Sequence, residues 1–372
     1  MFECGTTNSQ NNTYLTKTTY TTGTDLDPCT YTICASQADV TKIRIDFNTF
    51  DINGPTEILS GGMVATGTAA TSTTSVNGEI DFQAGHCMKD TLHIVSPGHA
   101  SPPIVCGHMT GQHMFIKMSE QCVKIQINID TDTTFTRTWD MKITQFEAGS
   151  QMAPQADCLQ YFTELSGNFA SFNWDMTDTA TTVAKYSQWH LANQNYNVCF
   201  RRSKKYCSIC YSPHVTVVAP ATYPANTGAS YGLGSFTAAG TVLAAASDNT
   251  ANHCGGFTIA DGITNAASNV AQGDYLEIER AQSGTPSATA QGGTYRLCGN
   301  VFNTALTGTA HTTVCSYATP FKVGVHFDEA ESFDFTLTGI NNVIENTDYP
   351  TGADGPGHGY SGFWLDYFQV AC

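Results

Sequence analysis

The chain has 372 residues, enough for two β-sandwich cores, and its 16 basic against 32 acidic residues give a formal net charge of −16. That excess repels polyanions, which argues against nucleic acid or an anionic membrane face as a partner. Only 13% of residues are charged, the polar share being made up by Thr, Ser, Asn, Gln and Gly, and such a surface packs against a neighbour at small desolvation cost.

From the N-terminus, Met1-Phe-Glu-Cys-Gly has neither a basic n-region nor an apolar h-region, so if the protein is secreted its leader is expected to have been removed. Asn11-Asn12-Thr13 is the single glycosylation sequon and marks Asn11 as the expected acceptor. Ile43, Ile45 and Phe47 alternate with Arg44 and Asp46, and Val123, Ile125, Ile127 and Ile129 alternate with Lys124, Gln126, Asn128 and Asp130. Trp139, Met141 and Ile143 follow the same rule, as do Phe321, Val323, Val325 and Phe327 late in the chain. Period-two alternation of this kind predicts half-buried strands. The best short helix candidate is Thr181 to His190.

A polar stretch with Pro154, running from Ala148 to Asp157, separates two strand-rich blocks. The expected division is residues 1–149, a linker of 150–157, and residues 158–372. The second block carries Gly/Ala/Thr/Ser-rich insertions at Ala219 to Asn252 and Gln282 to Gly293, and a Gly-rich loop at Thr351 to Gly362. Feature order repeats between the blocks. Asp90-Thr-Leu92-His-Ile94, Cys106-Gly107 and the Val123 strand in the first are matched by Asp274-Tyr-Leu276-Glu-Ile278, Cys298-Gly299 and the Phe321 strand in the second, which suggests duplication.

Fourteen cysteines, an even count in a loop-rich chain, indicate disulfides made in an oxidising compartment, hence a secreted, extracellular protein. The one Cys-x-x-Cys, Cys207 to Cys210, has no second knuckle for zinc and no βαβ setting for redox work. No stretch approaches the roughly twenty apolar residues of a membrane-spanning helix. Two catalytic motifs are missing, His-Glu-x-x-His and Gly-Asp-Ser-Gly-Gly, and Gly232-Leu-Gly234 lacks the strand-to-helix context of a phosphate loop. The acidic run Asp328, Glu329, Glu331 and Asp334 reads as a solvated rim. His86, His93, His99, His108 and His113 show no metal-ligand spacing and read as scattered surface histidines. No enzyme is expected. Sixteen Tyr, twenty Phe and four Trp with few charges tilt the reading toward protein interfaces.

The cysteine pair near the start, Asp90-x-Leu92-x-Ile94, Cys106-Gly107 and the closing Gly362-Phe363-Trp-Leu365-Asp-Tyr367 resemble the CUB family. The span from about residue 100 to 215 is similar to tandem CUB-domain secreted proteins of arthropods, on Gly111-Gln-His-Met114, Arg137-Thr-Trp139, Cys158-Leu-Gln-Tyr-Phe162, Ser171-Phe-Asn173, His190-Leu-Ala-Asn-Gln-Asn-Tyr196 and Tyr206-Cys-Ser-Ile-Cys-Tyr211. This resemblance implies an all-β fold of two tandem jelly-roll sandwiches with interaction as its role. It also implies the bridges Cys4–Cys29, Cys87–Cys106, Cys158–Cys199 and Cys254–Cys298. Cys34 and Cys122, left over in the first block, are then expected to pair. Cys207 and Cys210 lie too far apart on a strand to bridge each other, and each is expected to reach Cys315 or Cys372, with the choice open. Many CUB domains bind Ca²⁺ through three acidic positions, which fall here on Asp90, Asp130 and, with a charge missing, Asn53; the second block matches at Asp274 and Asp328. The leading functional reading is an extracellular interaction or structural protein whose partners are other proteins, copies of itself included. The alternative is a Ca²⁺-dependent binding module for a protein or glycan.

Overall fold

The structure, a computed structural model, describes residues 2–20, 28–55, 85–119, 122–131, 135–154, 157–176, 190–214, 231–233, 246–248, 274–284, 294–298, 302–304, 311–328 and 362–372. All regular structure among these residues is β. The early strands are β1 (Thr7–Asn8), β2 (Thr13–Lys17), β3 (Cys29–Ile33), β4 (Val40–Asp51), β5 (Thr91–Val95), β6 (His113–Lys117), β7 (Val123–Asn128) and β8 (Thr138–Glu147). They form two four-stranded sheets, ordered β1-β3-β7-β5 and β2-β8-β4-β6. The later strands are β9 (Gln160–Phe162), β10 (Ser166–Ala170), β11 (Gln194–Phe200), β12 (Tyr206–Pro213), β13 (Tyr231–Gly232), β14 (Ala246–Asp248), β15 (Tyr275–Ser283), β16 (Thr294–Cys298), β17 (Val314–Ser316), β18 (Phe321–Phe327) and β19 (Gly362–Ala371).

The same strand order recurs in this second lobe. β9-β11-β18-β15 repeats β1-β3-β7-β5, down to a parallel first pair, and β10-β19-β12-β17 repeats β2-β8-β4-β6. One departure joins the two later sheets. The start of β15, Tyr275 to Glu277, pairs with β18, whereas its end, Gln282 and Ser283, pairs with β17. Between them the register against β16 shifts and Arg280 adopts φ 55°, the kind of bulge through which a strand changes sheets.

Burial follows the alternation. Val123, Ile125 and Ile127 of β7 and Trp139, Met141 and Ile143 of β8 are inside, each apolar side chain contributing about 1.5–3 kcal/mol. The Trp139 indole N–H donates to the Tyr31 hydroxyl at 3.0 Å, so the largest buried ring leaves no orphan donor. In the second lobe Phe169, Phe200, Tyr211, Phe363 and Tyr367 fill the space between sheets, with the Phe200 and Tyr367 rings 4.5 Å apart.

Six disulfides lie among the described residues: Cys4–Cys29, Cys34–Cys122, Cys87–Cys106, Cys158–Cys199, Cys207–Cys372 and Cys210–Cys315. Strand register decides the pairing left open by the sequence. Cys210 lies directly opposite Cys315 across β12 and β17, and Tyr206, beside Cys207, lies opposite Ala371, beside Cys372. Cys298 is also disulfide-bonded, whereas its expected partner Cys254 lies outside the described residues. So do residues 181–189 of the helix candidate and most of the three insertions.

Candidate functional site

Asp90 immediately precedes β5 at the end of the first sandwich and is fully buried. Its Oδ2 accepts the Asn53 N–H at 2.8 Å and Arg137 Nε at 2.8 Å; its Oδ1 accepts the Asp130 N–H at 2.8 Å and Arg137 Nη2 at 3.1 Å. Four donors thus fill the lone-pair directions of one carboxylate. Arg137, 1% exposed, donates further to the backbone oxygens of Asp130 at 3.3 Å and Phe135 at 3.2 Å. Burial alone would raise the Asp90 pKa; the Arg137 hydrogen bonds, the Asp130 and Asn53 N–H groups and the Arg137 charge outweigh it and hold the carboxyl below the usual range.

The three residues expected to hold Ca²⁺ therefore converge, but on an Asp90 carboxylate already bound by the Arg137 guanidinium. Ca²⁺ takes about six to eight oxygens at about 2.3–2.6 Å. Here Asp130 turns its own Oδ1 to the Thr131 N–H at 2.6 Å. Asn53 presents a backbone donor to Asp90, and its buried Nδ2 has no hydrogen-bond partner among the described residues. This donor-rich set does not fit the ion.

Asp274 stands at the equivalent point of the second lobe. Its Oδ1 accepts the Asp328 N–H at 3.0 Å and its Oδ2 lies 3.1 Å from His190 Nε2, with the Phe327 ring 4.3 Å from the imidazole. Asp274 and His190 are both buried.

The lobes meet along a polar seam. The Phe115 N–H on β6 donates to the Leu159 oxygen at 2.7 Å, so β6 runs beside the edge strand β9. Gln112 Nε2 donates to the oxygens of Ser171 at 3.0 Å and Trp174 at 3.3 Å, and Gln194 Nε2 donates to the Ile104 oxygen at 3.0 Å. Asn173 Oδ1 accepts the His108 N–H at 3.0 Å, and His108 Nε2 lies 3.2 Å from Asp175. His113 Nε2 accepts the Tyr161 N–H at 3.0 Å. Burial, aided by the Arg44 charge and opposed by the Tyr161 backbone contact, pushes the His113 pKa down to about 3, so the ring is neutral at pH 7. The surface reading of the five histidines fails for His113, which is buried at the joint. Four of the segments that carried the resemblance, those with Gln112, Gln160, Ser171 to Asn173 and Gln194, meet at the seam.

Two further surfaces bear on recognition. Charged side chains point outward from β4 and β8, Lys42, Arg44 and Asp46 on one and Asp140 and Lys142 on the other, among uncharged ones such as Thr144 and Phe146. In the second lobe, the outward residues of β10 and β19, the counterparts of β2 and β8, include Ser166, Asn168, Phe368 and Val370, with Leu165 alongside, and Phe368 and Leu165 are each 41% exposed. The one charge on that stretch of β19, Asp366, is held by His214 Nδ1 at 2.7 Å, whose ring stacks on Trp364 at 4.0 Å. Asn11 is exposed, with its Oδ1 accepting the Gln145 N–H of β8 at 2.7 Å.

The family model of the animal CUB domain matches residues 155–370, more than half of the chain. The chain belongs to the animal CUB domain family. The match starts beside the seam and takes in the second lobe of this CUB protein up to residue 370. A sequence comparison with curated proteins returns no match. Among solved structures, the CUB1-EGF-CUB2 domains of rat MASP-1 are 8% identical with a TM-score of 0.24, over 98% of this chain and 100% of that one. The CUB1-EGF-CUB2 domain of human MASP-1/3 is 9% identical with a TM-score of 0.25, over 97% and 100%. The full extracellular region of zebrafish Gpr126/Adgrg6 is 12% identical with a TM-score of 0.24, over 89% of this chain and 34% of that one. CUB domains are extracellular protein-binding modules as a class, and the disulfides suit that setting. Among the described residues no helix is long and apolar enough to cross a membrane.

Sequence reasoning missed Arg137 and His190 as the partners of the two carboxylates. Arg137 carries a local signal only in hindsight, as a lone cation just before an alternating strand in an acidic chain. His190 carries none.

Proposed function

We propose that this CUB protein is an extracellular interaction or structural protein of two tandem lobes, residues 1–149 and 158–372 joined by 150–157, that binds further copies of itself through the outer face of β10 and β19. An N-glycan at Asn11 on the other lobe belongs to the same proposal. The observation that carries it is a contrast between the outer faces of the two lobes, drawn on β4 and β8 in the first and on β10 and β19, the counterparts of β2 and β8, in the second. β4 and β8 present five charged side chains outward, whereas β10 and the outer half of β19 present Ser166, Asn168, Phe368 and Val370 beside Leu165. Interface cores are depleted in charge and anchored by aromatic side chains. In a chain of net charge −16, copies repel one another overall, and a face whose one carboxylate, Asp366, is paired with His214 adds little to that repulsion. A face that meets its own copy makes a two-fold, self-complementary contact.

Sedimentation velocity over rising protein concentration tests the proposal. The native chain is expected to shift from monomer to dimer or larger species, and Phe368→Glu to remain monomeric with an unchanged melting temperature. A native chain that stays strictly monomeric at high concentration, or a Phe368→Glu variant that still associates, overturns the assignment of this face.

A further inference from the structure

Asp90 and Asp274 occupy one position in two copies of one topology. Each immediately precedes the strand that pairs with β7 or β18, and each accepts an N–H from one or two residues beyond that partner strand, Asp130 at 2.8 Å and Asp328 at 3.0 Å. The other neighbour in each lobe is a basic side chain of this chain: the Arg137 guanidinium, hydrogen-bonded to Asp90, in the first, and the His190 imidazole, 3.1 Å from Asp274, in the second. We infer that these side chains stand where a metal cation would stand, so that both lobes close, and the protein binds its partners, without calcium.

The first lobe carries the argument furthest. Arg137 gathers the kind of oxygen set a metal gathers, two carboxylate oxygens from Asp90 and the backbone oxygens of Asp130 and Phe135. The fork of Nε and Nη2 on the two Asp90 oxygens is the bidentate geometry for which an arginine is suited and a lysine is not. Two donors that point at the same carboxylate, the Asn53 and Asp130 N–H groups, satisfy an anion and repel a cation. The result is a cross-link between the chain before β5, the end of β7 and the segment leading into β8, made without an exchangeable ion. In the second lobe the His190 imidazole, 3.1 Å from Asp274 Oδ2, occupies one side of the carboxylate while the Asp328 N–H is bound at Oδ1, which leaves a metal little room there.

The test uses the full-length, disulfide-intact chain and reads the lobes themselves, so it can fail while the self-association proposal stands, and the reverse. Thermal unfolding is followed in millimolar calcium and in EDTA, alongside calorimetric titration of calcium into the native chain. The expected results are one melting midpoint in both solutions and no saturable heat. A midpoint raised by calcium in the wild type, with that rise lost in Asp90→Asn, overturns the inference. Asp90→Asn and Arg137→Gln are each expected to lower the midpoint, and the double variant to lower it by less than the sum of the two. Strict additivity also overturns the pairing. If the variants fail to fold, the two calcium measurements on the wild type decide alone.

Discussion

At the residue scale, single side chains matter here through partners far away in sequence. Gly107 looks like one half of a Cys-Gly motif, and the structure supplies its reason. Its φ is +80°, and a Cβ there would come 1.8 Å from Asn173 Oδ1 in the other lobe. Gly107→Ala must therefore strain the backbone and push away the acceptor of the His108 N–H. The expected cost is about 1–3 kcal/mol in equilibrium urea unfolding, with Asn173→Gly in the same background recovering part of it. The glycine was legible in the sequence; the reason for it was not, because Asn173 reaches it only after the lobes dock. Asp90 was likewise legible as a carboxylate at a strand start. Its partner was not, since nothing local distinguishes a buried Arg137 from an exposed one.

At the element scale, the strands were readable because the side-chain period of two writes burial directly into the sequence, as β7 and β8 show. The meeting of β6 and β9 was hidden. His113, read as a surface residue, sits in that joint as a neutral acceptor for Tyr161. An unfolded histidine titrates near 6.5, and this one titrates at about 3 when folded. Between those values the unfolded chain binds more protons, so the contribution of the neutral ring is complete above about pH 6.5 and is lost as pH falls toward the folded value. The urea midpoint is expected to drop between neutral pH and about pH 4.5, with a loss on the order of a few kcal/mol. His113→Gln, which keeps an acceptor but cannot be protonated, should show a visibly flatter profile. A profile as steep as the wild type's would remove His113 from the explanation.

At the scale of the whole molecule, two lobes of one strand order differ in how their faces are finished. The second lobe closes on its own last strand: β19 pairs with β10 and β12, and Cys372 beyond its end is bridged to Cys207 across 165 residues of sequence. A cross-link over so long a loop stabilises chiefly by restricting the unfolded chain, typically by about 2–5 kcal/mol in a native domain. Replacing Cys207 and Cys372 by serine together is expected to cost that much and to speed hydrogen exchange at the Gln369 to Ala371 amides. The amides of β4 and β8 in the other lobe should be unaffected. Faster exchange in both lobes alike would mean that the bridge secures the seam as well as the strand.

What the sequence determined by itself is what local periodicity and composition carry: an all-β, cysteine-rich, acidic chain with few charges, the faces of its strands, and the residues that open them. The tertiary structure alone decided that Cys210 meets Cys315, that Arg137 and His190 answer Asp90 and Asp274, and that Gln112, His113 and Asn173 join the lobes. The physical reason is common to all three. Hydrogen bonds, disulfides and ion pairs act over a few ångströms, and the register of sheets built from distant strands determines which groups come that close.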